Sequence, residues 1–554
     1  MEPIEQFERT QPLIDTLEHI QTEATKKFHN TLDTRGQTTD SGLEVFIDEI
    51  TGLRLRTEGV RQARAEELGF CDKLGVWQRG HSIKKCLEET GKHPVPMRFL
   101  DINKGDAERE ELRSRLVVME TKKRSTIAPD DISATFSATP PFEGLRVIGS
   151  MVMSSPVEKH PEDDTVMLVI DISRAHPHCG MKRTVYVKLP KECNPEEDEC
   201  ALLQRCMYGC RDANQQFEFK VGDVMDHLDM KRGAFSPCVF AHRANSTAAW
   251  VHGDDFVLKV QRKRVAEVVS KIGQHLLVKV RAVLGPRGDD DKQVTILNRL
   301  ITWRDQKGSV AEALEIEADP RHCQLILSQL GLNTPSSRGL GTPGVKTAGV
   351  MSPGKDLPKE EVTPHRSVTM RAAFLAQDRW ELKFASKEAA RFMNKPNEHG
   401  AAAVKRIGRF LVEHPRVVQV LKRQPKPKRV DTYTDTNHAD CPFTRKSTSC
   451  TASFLGKHCV QFTSTTQIAH TLSSGESEWN GLVKGGANGL GVQSVCRDYG
   501  EELPLALHTD SSAAKGIGSR RGAGRLKHLD TGLLWLQEHA VSYTHLTLPT
   551  SDLV

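Results

Sequence analysis

Two adjacent carboxylates, Asp254 and Asp255, lie in the middle of AAWVHGDDFVLKV, residues 248 to 260. They repel each other and are poorly stabilised without a cation. A divalent metal bridging them to a polyphosphate relieves that repulsion. A third acid, Asp171, ends the apolar run Val166 to Ile170, 83 residues upstream (254 minus 171). Phosphoryl transfer to a 3′ hydroxyl uses two divalent ions held by carboxylates from different segments, and these three aspartates supply such a set. A second set follows: Asp435, Glu478, Asp510 and Asp530. Four carboxylates from separated segments can hold two magnesium ions beside a phosphodiester. Taken singly, each acid also reads as an ordinary turn or surface residue.

These acids need elements to position them. Ala248 to Val251 and Phe256 to Val260 are β-type runs around a tight Gly253-Asp254-Asp255 turn, which predicts a hairpin. The continuous apolar run before Asp171 predicts a buried strand. CMYGCRDANQQFEFK, 206 to 220, reads as a turn into a helix with Phe217 and Phe219 packing. Strands are expected around Arg98 to Ile102 and Ser114 to Met119. Arg113 and Arg115 would then share one strand face, suited to a triphosphate or template phosphate, or simply facing solvent.

In the second set, VDTYTDTNH is β-prone and carries Asp435. TASFLGKHCVQFTSTTQ, 451 to 467, predicts a hairpin around Leu455 and Gly456. Ser473 and Glu476 have capping-box spacing, which puts Glu478 in the first turns of a helix. LPLALHTD is a strand ending in Asp510, and Asp530 precedes a last helix, LLWLQEHA.

The 554 residues allow three or four domains. Charged residues are 27% and hydrophobic ones 38%, as in a soluble globular protein. The net charge of +5 does not demand nucleic acid, but basic clusters at 122 to 124, 261 to 265 and 421 to 430 give local footprints. Thirteen cysteines contain no CxxC pair, and the gaps among Cys193, Cys200, Cys206 and Cys210 fit no standard zinc site. No apolar run reaches transmembrane length and no signal-peptide pattern opens the chain, so an intracellular setting is expected. LNTPSSRGLGTPGVKTAG, 332 to 349, approaches a phosphate loop, but Val345 separates Gly344 from Lys346 and it reads as a linker.

The order RFLDINKGD, RSRLVVME, ATFSATPPFEGLRVI, DISRAH, VYVKLP, MYGCRDA and VHGDDF resembles the reverse transcriptase of copia-type LTR retrotransposons. LGTPG, HRSVTMRAAFLA, RFMNKP and KRIGRFL resemble that family's connection region. TYTDTNHADCPFTRKSTSCTASFLG, TLSSGESEW, LHTDSSAAK and RLKHLD resemble its RNase H domain. The resemblance spans about 470 residues, and the order of motifs is more specific than any one of them.

The resemblance implies an α+β fold: a right-hand polymerase of palm, fingers and thumb, then a connection, then an RNase H-like α/β domain. The expected divisions are a polar leader over 1–70, reverse transcriptase over 71–330, connection and basic tether over 331–428, RNase H over 429–540, and a foreign-looking tail over 541–554. Catalytic and metal-binding roles fall on Asp171, Asp254 and Asp255 for polymerisation, and on Asp435, Glu478, Asp510 and Asp530 for the nuclease. Two Mg²⁺ per site are implied, with Mn²⁺ as a substitute. His176 stands where the family has the aromatic residue that screens the sugar 2′ position, and Arg115 is matched to the incoming triphosphate. His252 and Gly253 replace the usual Tyr-Val, Pro237 replaces an aspartate, and Asn437 replaces a second aspartate near Asp435.

The expected partners are RNA template, DNA primer, RNA–DNA hybrid and deoxynucleotide triphosphates, with no membrane. A second copy or other parts of a longer polyprotein are further candidates. The expected setting is a cytoplasmic particle or the nucleus. The alternative is a decayed or domesticated copy that binds nucleic acid without polymerising, motivated by His176, Pro237 and His252.

Overall fold

The computed structural model describes residues 45–50, 52–105, 109–307, 309–345, 354–524, 528, 531–542 and 544–547. The leader therefore lies largely outside the described residues, as does Asp530. The chain divides into two compact units, residues 1–137 with 174–220, and residues 138–173 with 221–554. The fold is α+β.

In the first unit, helix Thr57–Leu74 precedes the expected strand pair, Val95–Asn103 and Leu112–Val118, which is antiparallel with Leu100 opposite Arg115. Strands Trp77–Ser82, Glu199–Leu203 and Tyr186–Lys188 complete this five-stranded sheet. Helix Ala213–Asp226 forms where predicted. Phe217 is buried, but Phe219 is 54% exposed, so only one of the two packs. Residues two apart on a helix do not share a face.

The second unit carries both acid sets. Its first sheet has strands β1 (Thr165–Ile172), β2 (Lys231–Arg232), β3 (Val239–His242), β4 (Thr247–His252), β5 (Asp255–Gln261) and β6 (Val278–Leu284). They are all antiparallel, in the order β6-β1-β5-β4-β3-β2. Val166 to Ile170 are fully buried, as a central strand covered on both faces requires. Helix α1 (Phe142–Met153) packs here, and Gly144 admits the Trp250 ring where a Cβ would come within 2.8 Å.

A second antiparallel sheet follows, from β7 (Gln293–Ile296), β8 (Arg299–Arg304), β9 (Ala313–Ala318) and β10 (Gln419–Lys422). Helices α2 (Lys359–Leu375), α3 (Lys383–Ala390) and α4 (Glu398–Glu413) lie between β9 and β10. The basic stretch 421–430 is not a free tether. Its start belongs to β10, Arg423 pairs with Glu312, and Gln424 donates to the Leu455 carbonyl at 2.8 Å.

The last sheet contains β11 (Val430–Asn437), β12 (Thr448–Leu455), β13 (His458–Thr466), β14 (Leu505–Thr509) and β15 (Thr544–Thr547). Its order is β13-β12-β11-β14-β15: the first three are antiparallel, while β14 is parallel to both β11 and β15. Four residues of the tail thus pair with β14. Helices α5 (Ser474–Asp498), α6 (Ser512–Gly518) and α7 (Trp535–Ser542) accompany the sheet. This mixed sheet shares one hydrophobic core with the first: Trp250, Val257, Leu314, Trp479, Leu482 and Leu507 belong to a single buried cluster. Tyr499 at the end of α5 donates to the Gly144 carbonyl of α1 at 3.1 Å. No helix among the described residues is long and apolar enough to cross a membrane.

Candidate metal centres

The first centre follows from a two-residue hairpin loop. His252 pairs with Asp255, leaving Gly253 and Asp254 at the tip. Gly253 takes φ 60°, a left-handed value that glycine adopts without steric cost. Asp255 then falls directly opposite Asp171 in the β5–β1 ladder, and the Asp254 carbonyl accepts from Ile172 N at 2.9 Å. All three acids therefore lie at one end of the paired strands.

Their electrostatics match that crowding. The Asp255 carboxyl is raised above its ordinary value, first by burial and then by Asp254, with Asp171 adding repulsion. Arg281 opposes this from 3.4 Å. It reaches Asp255 because β6 bulges between Val280 and Ala282, which leaves Arg281 outside the regular register. The three carboxylates do not converge as a tight ligand cluster: they are not a group whose ligand atoms all lie within 4.8 Å of one another. The donor set is hard oxygen, which suits Mg²⁺. His252 stacks on Trp250, with centroids 5.7 Å apart.

His176 and Arg115 belong to the first unit and meet on one ring. The His176 ring packs edge-on to Tyr208 at 4.7 Å, and the Arg115 guanidinium sits 4.5 Å above the same ring. His176 Nε2 is 2.8 Å from Asn214 Oδ1. Arg115 Nη1 is buried with no hydrogen-bond partner among the described residues. Gly209 makes this possible. With φ 88°, its missing Cβ leaves room for the Val118 carbonyl, and Val118 N donates to Tyr208 O at 2.8 Å. Neither Tyr208 nor Arg281 was singled out from sequence. The MYGC turn beside the Arg113–Arg115 strand offered a signal for the first. Arg281 had none, because it depends on a bulge.

The second centre is tighter. The parallel register pairs Thr434 with Thr509, so the next residues, Asp435 and Asp510, stand side by side at the C-terminal ends of β11 and β14. Ligand crevices commonly form at such ends. Glu478 comes from the first turns of α5. Ser473 accepts from Glu476 N at 3.2 Å, and the Glu476 side chain accepts from Leu472 N at 2.8 Å, which fixes where the helix begins. A glycine stripe then lets α5 lie directly on β11. A Cβ on Gly481, Gly485 or Gly489 would come within 2.7, 2.1 and 2.6 Å of Thr436, Thr434 and Leu505 side chains respectively.

Asp435, Glu478 and Asp510 thus converge, with ligand atoms all within 4.8 Å of one another. Glu478 is pushed up to about 7, chiefly by burial; Thr436 pulls it down, and Asp510 and Asp435 push it up again. Glu478 Oε2 is buried with no hydrogen-bond partner among the described residues. An orphaned carboxylate oxygen among repelling carboxylates is what a hard divalent cation would satisfy, so these residues fit such an ion. Asp435 and Asp510 remain exposed and open to a substrate. His528 Nε2 lies 3.1 Å from Glu476 Oε2. The fourth expected acid, Asp530, lies outside the described residues.

No protein-family model matches the chain. It is similar to solved structures of the foamy viral protease-reverse transcriptase. One, in complex with dsDNA, is 11% identical with a TM-score of 0.48, covering 90% of this chain and 84% of that one. A dRH form with ds DNA is 12% identical with a TM-score of 0.48, covering 90% and 70%. A complex with RNA/DNA hybrid is 10% identical with a TM-score of 0.47, covering 90% and 54%.

Proposed function

We propose that the chain is the reverse transcriptase and RNase H region of a copia-type retrotransposon polyprotein, copying element RNA into DNA and degrading the RNA of the hybrid. One observation carries the reading: two separate acid sets in one chain, each assembled at strand ends from distant segments. Asp171 faces Asp255 in the first, and Asp435, Glu478 and Asp510 converge in the second.

In the polymerase centre, Asp171, Asp254 and Asp255 would hold Mg²⁺, with Mn²⁺ as a substitute. In the nuclease centre, Asp435, Glu478 and Asp510 would hold it, together with Asp530. Bound there, the ions supply charge neutralisation at the reacting phosphate and a more acidic attacking hydroxyl or water. The chain's own contribution is positional. In this reading the β1–β5 ladder would position the primer 3′ hydroxyl and a deoxynucleotide triphosphate, and the role assigned to Arg115 is to take triphosphate charge. His176, braced by Tyr208 and Asn214, is the residue assigned to the sugar. In the nuclease, exposed Asp435 and Asp510 face the hybrid, which is read by backbone shape and the 2′ hydroxyl.

The test is Mg²⁺-dependent deoxynucleotide incorporation on an RNA template, compared with Asp254→Asn. The expected result is incorporation by the wild-type chain and a loss of at least about 100-fold in the variant, since a carboxylate assigned to hold the ion is removed. No incorporation by folded wild-type protein overturns the polymerase reading.

A second reading has its own observation. The first acid set is not a tight cluster, and Arg281 already contacts Asp255. That favours a copy which binds nucleic acid without polymerising. Template-primer binding with no metal-dependent extension selects it.

A further inference from the structure

Beside the second acid set lies a cavity of about 710 Å³, bounded by α3, α4, the segment before α2 and the start of the mixed sheet. Its wall includes Asp435, one of the three converging acids, while Glu478 and Asp510 are not among its lining residues. The volume is that of a small-molecule site.

Besides the carboxylates Glu388, Asp435 and Asp440, its lining has two distinct sides. Phe384, Phe392, His399 and Phe443 give it an aromatic side. Phe392 and His399 both pack on Phe443, with centroids 5.5 and 5.6 Å away. Lys405, Arg406 and Arg409, from one stretch of α4, give it a basic side. Arg406 donates to the Thr342 hydroxyl at 2.6 Å and Arg409 to the Arg338 carbonyl at 3.0 Å, both neutral acceptors. Among the described residues none of the three cations is ion-paired, and Arg406 Nε is buried without a hydrogen-bond partner. The lining carboxylate Glu388 is already paired with Lys387 and Arg391, so the charge of these three cations is available to an anion. Aromatic faces with uncompensated cations are the recognition chemistry of an unpaired nucleotide, the base stacking and the phosphate meeting the basic side.

We propose that this cavity binds one unpaired nucleotide of the strand that reaches Asp435, its base against the Phe392 and His399 side and its phosphate at Lys405 and Arg406. The proposal rests on the nuclease reading, and it adds a substrate preference: the centre favours a hybrid whose RNA strand carries an unpaired end.

The experiment uses the full chain and two RNA–DNA hybrids, one blunt and one with a short RNA overhang carrying 2-aminopurine. Binding is measured in the Glu478→Gln background so that no strand is cut. The expected result is about 10-fold tighter binding of the overhang hybrid, with the fluorophore quenched by stacking. Lys405→Glu and Phe392→Leu should each remove both effects. Lys405 is exposed, so its variant remains informative if Phe392→Leu fails to fold. Equal affinity for the two hybrids, or a preference that survives Lys405→Glu, overturns the proposal. Cleavage of the blunt hybrid by wild-type protein is read separately. Cleavage with no overhang preference sinks the cavity assignment alone. An overhang preference without any cleavage sinks the nuclease reading and leaves the cavity as a nucleotide site.

Discussion

Asp255 and Asp171 are direct cross-strand partners in the β5–β1 ladder, with Arg281 reaching Asp255 from the β6 bulge. Two carboxylates facing each other across adjacent strands are destabilising unless a positive charge compensates. Arg281 is the compensating charge in this structure. A divalent ion would replace that role and be opposed by the guanidinium.

Arg281→Ala should therefore lower the Mg²⁺ concentration needed for half-maximal incorporation by about 3–10-fold at pH 8, since it removes both a competitor and a repelling charge. A magnesium titration of primer extension checks this. An unchanged or higher magnesium requirement would show that Arg281 serves the bound state rather than the empty one.

Glu478 gives a pH dependence of stability. Its folded value is raised to about 7 against an ordinary 4.5. The folded state thus holds this proton more tightly than the unfolded chain does. The stability this proton contributes is fully present below about 4.5 and lost as pH rises through about 7. For a half-buried group the loss is about 1–2 kcal/mol after solvent screening. Denaturant melts of chelator-treated protein at pH 5 and pH 8 should show a drop that shrinks in Glu478→Gln. The same pH dependence in wild type and variant would refute the assignment. Magnesium should restore the wild type at pH 8 and have little effect on the variant.

Asp378 joins the α2 end to the first two sheets. It is buried and accepts from Arg146 of α1 at 2.9 Å and from Arg299 of β8 at 2.8 Å. The Phe142 ring lies between the two guanidiniums, 4.5 and 3.9 Å away. Burial lowers Arg299 below its ordinary value. Asp378→Ala leaves two buried arginines without their shared carboxylate, which should cost about 3–5 kcal/mol. Equilibrium unfolding checks the size, and a loss under 1 kcal/mol would mean that water or Gln377 takes over.

Much of the acid scaffold was legible in the chain because it depends on local periodicity. The apolar run before Asp171, the Gly-Asp-Asp turn, the Ser473–Glu476 cap and the strand ending at Asp510 all formed where the residue pattern placed them. Phe219 failed because proximity to Phe217 says nothing about a helix face. The 421–430 stretch failed as a tether because its charges find partners at long range, Glu312 for Arg423 above all. Arg281 and the shared core between the two sheets were invisible, since they arise from a bulge and from tertiary packing rather than from spacing.

The glycine stripe on α5 shows how packing sets the second centre and supplies the sharpest test of it. Gly485 faces Thr434 of β11 so closely that a Cβ would come within 2.1 Å of its methyl. Alanine normally stabilises a helix by about 1 kcal/mol over glycine. At this position it cannot be accommodated unless α5 lifts from the sheet, because Thr434 is β-branched and buried. Gly485→Ala should therefore destabilise the protein by about 1–3 kcal/mol. It should also weaken magnesium-dependent hybrid cleavage, since Glu478 rides on the displaced helix while Asp435 and Asp510 stay on the sheet. Thr434→Ser removes the obstructing methyl. In the double variant, much of both losses should return, giving a coupling energy above about 0.5 kcal/mol. Additive effects, or a Gly485→Ala protein as stable and active as wild type, would show that helix-to-strand contact does not position the glutamate.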